Sequence, residues 1–236
     1  MCGFVSYDER TITENDSWLN RLTFIAKRLQ HINDYTAYPA FGGDTSRRIP
    51  LVVYENGDVK QVDAIWWFDA HVTEEGVTEI DKRTTFNARN LESSYWKSSL
   101  KRNRGLVIAS KIGESKLVGK TKHQYLMQSQ QPFMLGALYR KLQNGDYTCA
   151  IITRDAHPKM EAYHDKAFPL FLPNDDEFIR AWLIEKDTIP AKVDHLLNEP
   201  KLYPNLHVQR VKSYKSATPM GNINEHLDSD QPDLLI

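Results

Sequence analysis

Residues 50–68 read Pro-Leu-Val-Val-Tyr-Glu-Asn-Gly-Asp-Val-Lys-Gln-Val-Asp-Ala-Ile-Trp-Trp-Phe, two runs rich in β-branched and aromatic residues on either side of Asn56-Gly57. Asn and Gly both tolerate the positive φ of a tight turn, so the stretch predicts a β-hairpin. Asn144-Gly145 repeats the signal ahead of a second strand-like run at 147–153. Beside the pair 50–54 and 59–68, strands are expected at 2–7, 105–110, 124–128, 168–172 and 206–211. Strands joined by hairpins pair antiparallel, which makes the sheet largely antiparallel.

Working outward, Trp18, Leu22, Ile25, Leu29 and Ile32 advance by alternating steps of four and three, with Asn15 and Asp16 ahead of them as caps. That stripe predicts a helix whose apolar face packs into the core. Weaker helical patterns run through 91–100, 158–163 and 176–184. A chain of 236 residues with 41 % hydrophobic content can bury one full core. The expected fold is therefore α+β: a largely antiparallel, barrel-like sheet with flanking helices. It forms a single domain over 1–216, followed by a polar, loosely held tail over 217–236.

Thirty basic residues stand against 31 acidic ones, and the net charge of -1 excludes an overall cationic nucleic-acid binder. Locally the balance differs. Residues 82–122 hold eleven lysines and arginines, Arg104 among them, against only Glu92 and Glu114. Such a segment either tracks a phosphate backbone by releasing counterions or forms a solvated face. No apolar run is long enough to span a bilayer and no basic, apolar leader opens the chain, so no membrane partner and a cytoplasmic location are expected. Two distant cysteines make neither a disulfide framework nor a zinc spacing, and no metal is expected.

Cys2 follows Met1 directly, and its small side chain permits removal of that methionine, leaving a thiol and a free α-amine on adjacent carbons. With unperturbed pKa values of about 7.7–8.0 for the amine and about 8.5 for the thiol, both are usable near neutral pH. The amine forms a Schiff base with a carbonyl, and addition of the sulfur closes a five-membered thiazolidine. An internal cysteine or a lysine alone cannot form that product. The competing reading is a small, buried strand residue, as expected for Cys149 within Tyr-Thr-Cys-Ala-Ile-Ile.

Two families share the start Met1-Cys2-Gly3. The glutamine amidotransferases with an N-terminal cysteine nucleophile add Arg-Gly-Pro-Asp and Asn-Gly-Glu type segments, which this chain lacks. The resemblance to the SRAP (SOS-response-associated peptidase) family goes further. Phe86-Asn87-Ala88-Arg89 resembles its Asn-Ala-Arg motif, and the run from Arg104 to Ser110 resembles its Arg-Cys-Leu-Ile-Pro-Ala strand. Glu114 then falls at the family's catalytic glutamate, and His164-Asp165-Lys166 with Phe168-Pro169 resembles its His-Asp-Arg-Met-Pro motif. Trp66 and Trp67 sit where the family has an aromatic stretch near the DNA path, and 211–216 resembles its closing strand.

This resemblance implies a sensor of abasic sites in single-stranded DNA that forms a covalent thiazolidine crosslink through Cys2 once Met1 is gone. Self-directed removal of Met1 and lyase action on the abasic site accompany that reading, with no cofactor and a monomeric state. His164 and Glu114 are the implied acid–base pair, and Asn87 holds the Cys2 amine. Arg89, Lys166 and Arg104 are the expected phosphate contacts, and one of Trp66 and Trp67 should face outward to meet a base, because strand neighbours point to opposite sides. The alternatives are an N-terminal-cysteine amidotransferase or hydrolase, and a non-covalent single-strand binder. Several positions depart from the family. Glu114 lies in Lys111-Ile112-Gly113-Glu114-Ser115 where the family has Gly-Phe-Tyr-Glu-Trp, Phe4 and Lys166 replace arginines, and Tyr38-Pro39-Ala40 shortens a Tyr-Asn-Ile-Ala-Pro segment. Loss of the flanking aromatics predicts a Glu114 that is either less finely tuned or supported by other residues.

Overall fold

Asn56 and Gly57 have φ of 54° and 82°, the left-handed pair a two-residue hairpin turn requires. They join β3 (Arg48–Glu55) to β4 (Asp58–Ile65), paired from Glu55 with Asp58 to Arg48 with Ile65. The computed structural model describes residues 3–9, 21–26, 29 and 32–230. Cys2, Trp18, Asn15 and Asp16 lie outside the described residues. Before the hairpin come β1 (Phe4–Tyr7), α1 (Thr23–Ala26) and β2 (Tyr35–Ala37). After it come β5 (Ala70–Val72), β6 (Thr78–Ile80), β7 (Asn87–Ala88), α2 (Ser94–Arg102), β8 (Arg104–Val118), β9 (Thr121–Lys141) and β10 (Tyr147–Arg154). The chain continues through β11 (Phe168–Pro169), β12 (Phe171–Leu172), α3 (Asp176–Ile184), α4 (Ala191–Asn198), β13 (Leu206–Val211) and β14 (Pro219–Leu227).

Strands β8, β9, β10, β4 and β3 pair in a closed ring, which makes the core a barrel. All its pairings are antiparallel except β10 with β4. Alternation along the strands divides the apolar residues into two sets. Leu51, Val53, Val107, Leu135, Ala137, Cys149 and Ile151 form one cluster. Val52, Leu106, Ile108, Met134, Leu138 and Ile152 form the other, together with the apolar faces of α1 to α4, so this set faces out of the ring and under the helices. Leu22, Ile25, Leu29 and Ile32 of the N-terminal stripe pack there, as a core-facing stripe should.

The two longest strands outrun the barrel. Residues 104–109 of β8 pair with 133–138 of β9 inside the ring; after a bulge, 111–118 pair with 121–128 as an arm turned at Gly119, φ 60°. Bulges of this kind bend a strand and let it leave one sheet for another. β1 joins the arm on the β8 side and β13 on the β9 side.

The structure departs from the sequence reading in three places. The loop at Asn144-Gly145 is wider than a two-residue turn: Lys141 pairs with Tyr147, and of the dipeptide only Gly145 takes positive φ, 92°. Residues 219–227, expected in a loose tail, form β14 on β13, an edge strand exposed at 219–221, 225 and 226. Trp66 and Trp67 are both buried, at 0 % and 5 % exposure, because β4 ends at Ile65 and strand alternation ends with it. No described helix is long and apolar enough to cross a membrane.

Candidate active site

The arm brings together the start of the chain and two titratable side chains. Gly3 N–H donates to Gly113 O at 3.4 Å, and Phe4 pairs with Gly113 in the β1–β8 ladder. Gly113 has no side chain where two rings converge: a Cβ there would lie 2.7 Å from Phe4 Cβ and 2.8 Å from Tyr214 Cε1. Phe4 stacks on Tyr214 at 5.4 Å and meets Tyr38 edge-on at 5.4 Å, which fixes the first described strand in register.

The next residue on β8 is Glu114, at 0 % exposure. Tyr125 stands opposite it on β9, and directly opposed antiparallel residues share a face. Tyr125 in turn meets Tyr163 edge-on at 5.2 Å. Aromatic cover expected beside the glutamate in sequence is thus supplied from across the sheet and from the loop after β10. Burial raises the Glu114 carboxyl pKa above the ordinary carboxylate range, opposed by nearby positive charge that includes His164.

His164, 5 % exposed, lies on that loop, after a short turn at Pro158–Met160 and held by His164 N–H to Met160 O at 2.8 Å. Its Nδ1 is 2.7 Å from Ser115 O and 3.6 Å from Glu114 Oε2. A carbonyl only accepts, so Nδ1 carries a proton and donates it to Ser115. The 3.6 Å approach is too long for a hydrogen bond and acts through charge. With the Nδ1 proton committed to Ser115 O, acid chemistry at this ring falls to Nε2. Donation from Nε2 requires the imidazolium, because Nδ1 holds the proton of the neutral ring.

The other expected site residues are placed as follows. Asn87 is half-buried on β7, paired in parallel with Ile151 of β10. Arg89 is exposed and pairs with Asp155 at 3.3 Å; Lys166 is exposed two residues beyond His164. Arg104, 3 % exposed, presents nothing to a ligand: its guanidinium donates to Leu100 O at 2.7 Å, Lys101 O at 3.1 Å, Trp182 O at 2.7 Å, Ala181 O at 3.3 Å and Glu185 O. These are the open carbonyls at the ends of α2 and α3. The tryptophans are equally committed, Trp66 Nε1–H donating to Phe86 O at 2.9 Å and Trp67 Nε1–H to Asp81 O at 3.2 Å. Cys149 is buried and its thiol pKa is pushed up by that burial.

The basic stretch at 82–122 is partly neutralised by acids from outside it, Arg102 by Asp187 at 2.7 Å, Lys111 by Asp8 at 3.8 Å and Lys116 by Asp165 at 3.9 Å. Sequence order hides these partners. Missed in the sequence reading is a cavity of ≈ 1080 Å³ along the arm, lined by Phe4, Tyr38 and Tyr214 with Arg47, Lys111 and Lys215, and with Asp8 and Asp34 among its acids. Its strand residues alternate with Glu114 and Tyr125, so the groove and the Glu114–His164 pair lie on opposite faces of one sheet, and Gly3 marks where β1 enters between them. Among the described residues no cluster of side chains could hold a metal ion.

A family model described as SOS response associated peptidase (SRAP) matches residues 1–215. No curated protein matches the chain. Among solved structures, a phage-related protein of Bordetella bronchiseptica aligns at 19 % identity and a TM-score of 0.62, covering 93 % of this chain and 100 % of that one. A protein of Bacteroides thetaiotaomicron aligns at 19 % identity and TM-score 0.55 over 76 % of this chain and 78 % of its own. A second Bordetella bronchiseptica protein aligns at 13 % identity and TM-score 0.55, over 90 % and 100 %. At these identities the likeness concerns the fold.

Proposed function

The chain belongs to the SOS response associated peptidase (SRAP) family, and on that premise we propose that it captures abasic sites in single-stranded DNA as a covalent thiazolidine on Cys2, acting as a cytoplasmic, nucleoid-associated monomer. The observation that carries this reading is the placement of Gly3 against Gly113, next to Glu114 and its partner His164. Gly3 is thereby held beside Gly113, the residue that precedes Glu114, one peptide (about 3.8 Å between Cα atoms) from the residue whose amine this reading makes reactive.

In the proposed reaction the abasic sugar opens to its aldehyde, with His164 Nε2–H, in the imidazolium, donating to the ring oxygen while the C1′ hydroxyl passes its proton to the Glu114 carboxylate. The Cys2 α-amine attacks C1′, and the carbinolamine loses one water to give the imine. Glu114, whose raised pKa keeps a protonated fraction to higher pH, supplies the proton that departs with that water. The Cys2 sulfur then adds to the imine carbon, the nitrogen takes the thiol proton, and the five-membered ring closes. Asn87 is the proposed amide partner of the amine. The same groups act in self-removal of Met1 and in lyase cleavage 3′ to the abasic sugar.

Flanking nucleotides are assigned to the aromatic groove, where Phe4, Tyr38 and Tyr214 offer rings to bases and Arg47, Lys111 and Lys215 offer charge to phosphates. The exposed pair of Arg89 with Asp155 is weak, about 0–1 kcal/mol, and is displaced by phosphate at little cost. A denaturing gel tests the assignment: native-start protein should form a retarded, heat-resistant band with an oligonucleotide carrying one abasic site and none with the intact oligonucleotide. Binding of both without such a band makes the protein a non-covalent binder instead.

A further inference from the structure

The segment after residue 215 lies beyond the family match, yet its acids reach the loop that carries His164. Tyr163, immediately before His164, donates its hydroxyl proton to Glu225 on β14. At the other end of the loop His157 Nε2 meets Asp230 Oδ2 at 3.0 Å, and Lys159 Nζ meets Asp230 Oδ1 at 2.9 Å. His157 Nδ1 accepts from Lys159 N–H at 3.3 Å, so Nε2 carries the proton and donates it to Asp230. Lys159 also donates to Asp228 O at 2.8 Å and Ser229 O at 3.0 Å. Asp230 is itself fixed, exchanging bonds with Leu202 at 2.6 and 2.7 Å.

We propose that Glu225 and Asp230 form a positioning clamp for His164, resting on the reading that His164 acts on the abasic sugar. The connection from 155 to 167 holds only a short turn of its own, and such connections open locally far more easily than the strands they join. Lys116 grips the loop from β8 through Glu161 O and Asp165, and the C-terminal acids grip it from the opposite end of the chain. Between the two, Met160 and Tyr163 are buried and His164 Nδ1 keeps its bond to Ser115 O. Glu225 is exposed and adds little apolar surface, so the value of these contacts lies in where they hold the imidazole. A side chain misplaced by about 1 Å in an acid–base step costs up to about a hundredfold in rate.

The test uses the full-length chain freed of Met1, in four forms: unsubstituted, Glu225→Gln, Glu225→Leu, and Glu225→Leu with Asp230→Ala. Gln keeps an acceptor for the Tyr163 hydroxyl and Leu does not. Single-turnover crosslinking to abasic single-stranded DNA, affinity for the intact strand, amide exchange, and the NMR signal of the His164 Nδ1–H are measured on each. The double variant should crosslink about tenfold more slowly or worse, with affinity within about twofold. Exchange should rise across 157–166 while β8 and β9 stay protected, the His164 signal should broaden, and Glu225→Gln should behave as the parent. An unchanged rate and signal in the double variant overturns the clamp, as does a loss of protection spread equally over β8 and β9. If the parent fails to crosslink, the proposed function falls, and the clamp is then decided by exchange and the His164 signal alone.

Discussion

Glu114 and His164 meet at 3.6 Å inside the protein, one on the arm of β8 and the other on the loop after β10. The contact joins a carboxyl kept from water to an imidazole whose Nδ1 proton is already given to Ser115. A carboxyl whose folded pKa exceeds its unfolded one binds more protons in the native state, so stability declines as pH rises from the ordinary carboxylate range through the raised value. Glu114→Gln removes that penalty. Its melting temperature should exceed the parent's at pH 7 and the advantage should vanish near pH 4; a variant less stable at pH 7 contradicts the assignment. Crosslinking by the same variant should slow, and should lose the parent's fall in rate on the alkaline side.

Arg104 staples the ends of two helices. Arg104→Leu should lower stability by about 3 kcal/mol, since hydrogen bonds to a charged donor are worth about 1.5–3 kcal/mol each and several carbonyls lose theirs together. Under conditions where the variant remains folded, its affinity for single-stranded DNA should match the parent's. Denaturant melts and fluorescence anisotropy measure the two effects separately, and a selective loss of affinity restores Arg104 to the DNA surface.

Aromatic contact with DNA is assigned to the groove and withheld from the tandem tryptophans. Tyr214→Ala should weaken binding of an intact single strand by about 1 kcal/mol or more, the scale of one base–ring stack. Trp66→Ala should instead destabilise the fold by about 3–5 kcal/mol, as large aromatic truncations in cores do. Reversal of this pattern in paired anisotropy and melting experiments rules the groove out.

Much of this architecture was legible because it is local. Asn56-Gly57 needs only its own φ angles, and the boundaries 176–184 and 206–211 coincide with α3 and β13 because compact apolar patterns ended there. What the sequence concealed depends on partners distant along the chain. Glu114 lost its sequence-adjacent aromatics and gained cover from Tyr125 and Tyr163. Arg104 reads as a surface cation until two helix ends converge on it. Helix α4, with no side-chain cap after Pro190, and the polar edge strand β14 lacked the local signals that mark an element. Cys149, flanked by strand-forming residues, packs in the core as that pattern predicts.

Gly113 offers a test of the N-terminal anchor. A methyl group there would press on Phe4 Cβ at 2.7 Å and on the Tyr214 ring, so Gly113→Ala must push β1 from its register. Overpacking of this kind costs about 1–3 kcal/mol. Crosslinking should fall far more than stability, because the start of β1 moves relative to Glu114. An Ala variant with the parent's rate would separate the anchor from the chemistry.

The central claim is that Cys2, freed of Met1, bonds to the aldehyde of an abasic site. Intact-mass spectrometry of native-start protein mixed with single-stranded DNA carrying one abasic site reads that bond directly. The expected product has the mass of the protein without Met1 plus the oligonucleotide less one water, and it is absent with Cys2→Ala. Protein lacking Met1 that binds the DNA yet gains no covalent mass, or a Cys2→Ala variant that gains the same mass, contradicts the account.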